Sequence, residues 1–175
     1  MDLERLFEIL DRPVKYQTVN NGIITFTVDS IGYTVSIDEA IIRNYNCKSI
    51  TFVSDNTETI SPLNNSAPHA KFVLATIVDI VKKEIKPCDI LFVQSDDSNL
   101  DIAGRKMKIY EVIAARLKTS GLLAKIGILQ IKNMNKPTLY GILPGSKALS
   151  LDEKHIQSLA IEFGVNKMQR QHRGN

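Results

Sequence analysis

Four carboxylates, Asp89, Asp96, Asp97 and Asp101, crowd the stretch CDILFVQSDDSNLD. Carboxylates just past a strand's C-terminal end stand where α/β sheets bind ligands, and hard cations take carboxylate oxygens. No His or Cys joins them at a metal-ligand spacing, and SDDSN is also an ordinary turn, so no metal is expected. A second candidate is LNNSAPHAKFVLATI, residues 63 to 77, a loop feeding a helix. The first N–H groups of a helix have no partner within it, which makes its N-terminus an anion site. His69 lies beside that loop and has the chemistry of a base. No motif places a Ser or Cys nucleophile for it, so His69 reads more simply as a first-turn surface residue. His155 and His172 are scattered. The third candidate is basic: Arg105, Lys106, Lys108, Arg116 and Lys118 on one helix, with Lys167, Arg170, His172 and Arg173 in the tail. These side chains suit phosphate contact, which makes nucleic acid a conceivable partner. No aromatic residues interleave with them, so stacking on single strands is not expected, and a solvated helix face is the simpler reading.

The totals narrow the class. The 175 residues are enough for a substantial core, with 43% apolar and 23% charged residues, near globular averages. With no Trp and 6% aromatics, Ile, Val and Leu must fill most of that core. A net charge of +3 is mild for a nucleic-acid groove. Cys47 and Cys88 have no partner motif and are expected to be reduced, buried thiols. No apolar run is long enough to span a bilayer, and MDLERLFEIL carries the wrong charge for a secretory leader. A cytoplasmic protein is expected, in a host cytoplasm if it is viral, with virion association left open.

Elements that would position these residues follow from periodicity. Leu3, Leu6, Phe7 and Leu10 predict a helix over 2–11, stopped by Pro13. GIITFTVDS and YTVSID alternate on either side of a DSIG turn and predict a hairpin; KSITFVSDN is a third strand of the meander. TETISPLNNSAP reads as loop. A buried helix is predicted over about 69–85, ended by Pro87. The continuous apolar run Ile90–Val93 predicts a central strand over about 89–94, covered on both faces. A helix over about 100–118 aligns Met107, Tyr110, Ile113, Ala114 and Leu117 on one face, and Gly121 stops it. AKIGILQIKN and PTLYGILP predict two more strands. Ser150 and Glu153 form a capping box for a last helix over 150–163, ended at Gly164.

This order, a meander followed by β-α-β-α-β, resembles the GNAT acyltransferase fold over about Gly22 to Pro144. The resemblance implies an α+β domain with a mixed, mostly antiparallel sheet and helices on its faces. In that family the loop before a long helix carries Gln or Arg, two residues, Gly, one residue, then Gly or Ala. Its backbone N–H groups bind the pyrophosphate of acetyl-CoA. On that loop Asn65 stands for Gln or Arg, Pro68 for the first Gly and Ala70 for the last residue. Pro68 has no N–H to donate, and Asn65 no full charge. What remains is a helix start with Ser66 at or near the N-cap and Pro68 at N1. A later helix of the family often carries Leu-Tyr-Glu, whose Tyr can protonate the leaving thiolate; Ile109, Tyr110 and Glu111 of KIYEVIAARL match it. Tyr110 also lies on the apolar face, where a tyrosine is usually a core residue.

The chain is also similar to a group of small bacteriophage proteins of unknown role. They share a strand-rich start with a GYTVSI-like strand, an ATIVDIVKKEIKP-like helix, an ILFVQSD-like strand and an RKMKIYEVIAARL-like helix. Taken together, the expectation is one GNAT-like domain over 1–165 (helix 2–11, core 22–144, helix 150–163) and a flexible basic tail at 166–175. The expected role is a phage-type accessory protein that binds another protein and needs no cofactor. An N-acetyltransferase using acetyl-CoA is the alternative, and a nucleic-acid binder the third reading. The sequence leaves the oligomeric state open.

Overall fold

A computed structural model of the chain describes residues 13–55, 67–94, 100–131 and 137–173; at 67–71, 100–106, 109 and 166–173 the description is of backbone alone. The predicted helix 2–11 lies outside the described residues. The elements are β1 (Tyr16–Asn20), β2 (Ile23–Val28), β3 (Ile31–Ile42), β4 (Tyr45–Ser54), α1 (Ala67–Glu84), β5 (Ile90–Val93), α2 (Leu100–Thr119), β6 (Lys125–Leu129), β7 (Thr138–Ile142), a 3-10 turn (Lys147–Ser150) and α3 (Glu153–Arg173). Seven strands form one sheet in the order β1-β2-β3-β4-β5-β7-β6. The sheet is mixed and mostly antiparallel, and β4 and β5 run parallel. Contacts divide the chain into two compact units: Met1–Ile37 with Thr51–Lys86, and Asp38–Ile50 with Pro87–Asn175.

In the first unit, alternation drives the meander. Ile24, Phe26 and Val28 of β2 are buried, as are Tyr33 and Val35 of β3. Phe26 and Tyr33 are register partners, and their rings stack 5.1 Å apart. Asp29 and Ser30 both take positive φ, which gives the two-residue turn that matches strand twist. Gly22, at φ +81, turns β1 into β2. Its carbonyl accepts from the Ile37 N–H at 2.7 Å, and a Cβ there would collide with the Ile37 oxygen. Sequence periodicity missed β1 because Gln17 to Asn20 are all exposed, so no apolar alternation marks the strand. Helix α1 buries Val73, Leu74, Ile77, Ile80 and Val81 and leaves Phe72 exposed. Thr76, fully buried, bridges: its hydroxyl accepts from Val14 N–H at 3.0 Å and donates to the Phe72 carbonyl at 2.6 Å.

The second unit holds the central strand. Ile90, Leu91 and Phe92 are all buried, so β5 is covered on both faces. One face carries Ile90 and Phe92 of β5 with Tyr140 and Ile142 of β7, packed against Ile156, Leu159 and Phe163 of α3. The rings of Phe92 and Phe163 lie 5.8 Å apart. Helix α2 packs on β6 and β7, and it buries the predicted set, Met107, Tyr110, Ile113, Ala114 and Leu117. Gly121, at φ +84, follows its end.

Two expected boundaries are corrected. Helix α3 does not stop at Gly164 but runs on to Arg173, so residues expected in a flexible tail are helical up to that point. An interior Gly costs only about 1 kcal/mol relative to Ala, too little to end a helix whose earlier turns are docked in the core. The cap of α3 is Asp152 rather than Ser150. The Asp152 carboxylate accepts the His155 N–H at 2.9 Å, while the Ser150 hydroxyl donates to the Lys147 carbonyl within the 3-10 turn. Ser150 is the last residue of that turn, two positions short of the cap, which takes it out of capping position.

Phe92 fills the contact between β5 and α3, so Phe92→Ala is expected to cost about 3–5 kcal/mol. Urea denaturation of the two proteins checks this; a loss below about 1 kcal/mol would mean that the site collapses around the gap.

Candidate functional site

The loop that the sequence marks as an anion site leads into α1. Helix α1 begins at Ala67, so Pro68 and Ala70 lie in its first turn; Asn65 and Ser66 lie outside the described residues. Of the four N-terminal positions Ala67, Pro68, His69 and Ala70, three carry an N–H. No acidic side chain occupies that turn, and Lys82 and Lys83 stand in the last one, where they favour the helix dipole. Tyr110 is buried on α2, 6% exposed. Pro68 and Ala70 belong to the first unit and Tyr110 to the second.

Near its end α1 carries a polar cluster. Tyr16 of β1 donates to the Asp79 carboxylate at 2.8 Å, and the Lys83 ammonium lies 3.1 Å from the same oxygen and 5.0 Å from the Tyr16 ring centre. Burial pushes the Asp79 carboxyl up, but the hydrogen bonds from Tyr16 and Lys83 outweigh it and hold the group below its ordinary value. Burial is also the first cause that raises the Tyr16 phenol. The cluster pins β1, an end strand, onto α1.

Asp89 is the one carboxylate of the SDD region whose side chain is described, and both of its oxygens are used inside the fold. Oδ2 accepts the Asn46 N–H at 2.8 Å, and Oδ1 accepts the Ser146 hydroxyl at 2.9 Å. Asp96 and Asp97 lie outside the described residues, and Asp101 is described in backbone alone. Among the described residues no group of three or more His, Cys, Asp or Glu side chains is arranged to hold a metal ion.

Lys108, Arg116 and Lys118 are exposed on α2, as the basic-face reading requires. Arg105 and Lys106 on α2, and Lys167, Arg170, His172 and Arg173 on α3, are placed as helix residues only. His155 sits in the first turn of α3, its ring nitrogen 2.6 Å from Asp152, so it serves the helix cap. His69 lies in the first turn of α1.

A further feature beside α3 has no local signature in the residue pattern. Arg43, at the β3–β4 turn, takes φ 51, and Asn44 takes φ 70. A left-handed arginine is strained. Its side chain is anchored, Nε to Glu162 at 2.8 Å and a terminal nitrogen to the Ser158 hydroxyl at 2.8 Å. Arg43, Ser158 and Glu162 line a hollow of about 510 Å³ whose other lining residues are Lys154, Gln157 and Ile161. A turn residue and a helix residue 119 positions apart meet there, which no local spacing encodes.

Cys47 and Cys88 are both buried and not disulfide-bonded. Cys88 donates to the Ile90 carbonyl at 3.0 Å. Burial, above all, pushes both thiols from an ordinary value of 9.0 up to about 12, and Tyr33 from 10.0 up to about 12. No described helix is long and apolar enough to cross a membrane. No protein-family model, curated protein or solved structure matches this chain.

Two outcomes follow. Asp89→Ala removes the acceptor of the exposed Asn46 N–H and of the part-buried Ser146 hydroxyl and is expected to cost about 0.5–1.5 kcal/mol in thermal or urea unfolding. The second concerns alkali. The native protein keeps thiol and phenol protons that the unfolded chain releases, so stability is full below pH 9.0 and falls as pH rises toward about 12. Urea midpoints across that range check the sign. A thiol reagent at mildly alkaline pH should label neither cysteine until the chain unfolds, and fast labelling of the native protein would contradict their burial.

Proposed function

We propose that this chain is a phage-type accessory protein that acts by binding another protein, built on a GNAT-like core that has lost its cofactor cradle. The observation that carries the reading is Pro68 in the first turn of α1. A pyrophosphate held at a helix start depends on a few backbone donors, and a proline there removes one. The order of elements supports the GNAT-like core: a meander, a helix joining the parallel strands β4 and β5, then a helix and two strands. The resemblance to small phage proteins through the same helices and strands supports the setting.

The acyltransferase alternative rests on Tyr110 as the acid for the leaving thiolate. Its burial among Met107, Ile113 and Leu117 favours a packing role instead. Acyl transfer draws much of its rate from holding the thioester beside the amine, so a weakened anchor removes positioning before it removes chemistry. The third reading, a nucleic-acid binder, draws on exposed Lys108, Arg116 and Lys118 alone among the described side chains.

Calorimetric titration with acetyl-CoA tests the proposal. The natural protein is expected to give no binding heat at micromolar concentrations. Pro68→Gly restores one donor, and binding gained by that variant alone would show that the rest of the cradle persists. Micromolar binding by the natural protein would overturn the proposal in favour of the enzyme.

A further inference from the structure

The sheet ends in two strands, β1 and β6, which present their open edges differently. An end strand points every second N–H and C=O away from its neighbour, and proteins usually protect such an edge with charge, proline or a bulge. β1 follows that rule: its register with β2 shifts between Thr18 and Asn20, and Gln17, Thr18 and Asn20 are polar and exposed. β6 does not. It pairs with β7 without a bulge from Lys125↔Ile142 to Leu129↔Thr138, and KIGIL contains no proline. Ile128 is 37% exposed and Ile126 partly exposed. Among the described residues no strand flanks β6 on its outer side.

Gly127 adds to the flatness of this edge. The Tyr140 ring of β7 lies across it, so that a Cβ would come within 2.5 Å of the Tyr140 hydroxyl and 2.6 Å of the ring. An aromatic side chain laid over a strand glycine fills the missing volume and pins the strand. Among the described residues the edge is therefore extended, without a flanking strand, and apolar at Ile126 and Ile128.

We propose that β6 is a strand-addition surface for a second copy of this chain, which pairs antiparallel with it about Gly127. The sequence around that residue is its own complement. A two-fold axis through Gly127 sets Ile126 against Ile128 of the mate and repeats the pair on the other side, so β-branched apolar residues meet in both. Lys125 comes opposite Leu129 of the mate, and the two lysines stand at opposite ends of the pair, clear of each other. A foreign strand would have to match this pattern, whereas a copy always does. The inference stands apart from the reading of the α1 loop.

Sedimentation velocity on the full chain, from low micromolar to near-millimolar concentration, tests it. The natural protein is expected to show a reversible, concentration-dependent dimer. Ile128→Lys should weaken dimerisation roughly tenfold or more, about 1.4 kcal/mol, with the melting temperature unchanged. The double variant Ile126→Cys with Ile128→Cys should form a disulfide-linked dimer on mild oxidation, with Cys47 and Cys88 too buried to contribute. A natural protein that stays monomeric throughout, or a dimer that Ile128→Lys leaves unaltered, would overturn the proposal. If Ile128→Lys fails to fold, the double variant decides, and absence of the linked dimer overturns it.

Discussion

Asp89 and Asn46 hold each other by two hydrogen bonds, and the second unit is organised around that exchange. The Asp89 N–H donates to the Asn46 carbonyl at 2.8 Å, and the Asn46 N–H returns a bond to the Asp89 carboxylate at 2.8 Å. The antiparallel pair β2–β3 takes its register from a two-residue turn, but a parallel pair has no turn to set it. β4 and β5 are separated in sequence by the whole of α1, so their alignment has to be made by contact. The reciprocal bond stands one position ahead of the first ladder pair, Cys47 with Ile90. Bonds to an ionised carboxylate are among the stronger ones available. The other carboxylate oxygen takes Ser146, and the Asp89 carbonyl takes the Leu143 N–H at 3.3 Å, so one residue ties β4, β5 and the exit of β7.

Packing follows from that register. With Cys47 level with Ile90, alternation brings Ile90 and Phe92 onto the face that α3 covers, beside Ile142 and Tyr140. The α3 side of this core is built from Ile156, Leu159 and Phe163, spaced three and four residues apart. The outer side of α3 anchors Arg43 through Glu162 and Ser158. The left-handed conformation at Arg43 is thus held by its side chain as well as by the hairpin, which is how an uncommon backbone geometry persists. The pair itself is half exposed, and its worth lies in fixing a turn more than in net electrostatic energy.

The polar groups of this fold are mostly committed to its own construction. Asp79 binds Tyr16 and Lys83, Asp89 binds Asn46 and Ser146, Asp152 caps α3, and Thr76 serves Val14 and Phe72. The bonds to Tyr16, Asn46, Ser146 and Val14 join separate segments and the Asp152 bond closes a helix end, so they fix the positions of the elements that carry them.

Periodicity alone determined the faces that are buried. The alternation of Ile24, Phe26 and Val28, the α2 stripe from Met107 to Leu117 and the unbroken run Ile90–Val93 were each legible, because burial of one face imprints its own repeat on the chain. Strand β1 left no such imprint, since its exposed polar residues gain their place from pairing and from the Tyr16–Asp79 bond. Gly164 and Ser150 looked like a helix stop and a helix cap; tertiary docking carried α3 past the first, and a 3-10 turn displaced the second. Asp89 was legible only as one of four nearby carboxylates, and its actual partners are 43 and 57 positions away. The same holds for Arg43 and Glu162. Local repeats fix which face is wet and which is dry, while a hydrogen bond between distant residues exists only once the backbone has brought its two ends within about 3 Å, and that placement is decided by the whole fold.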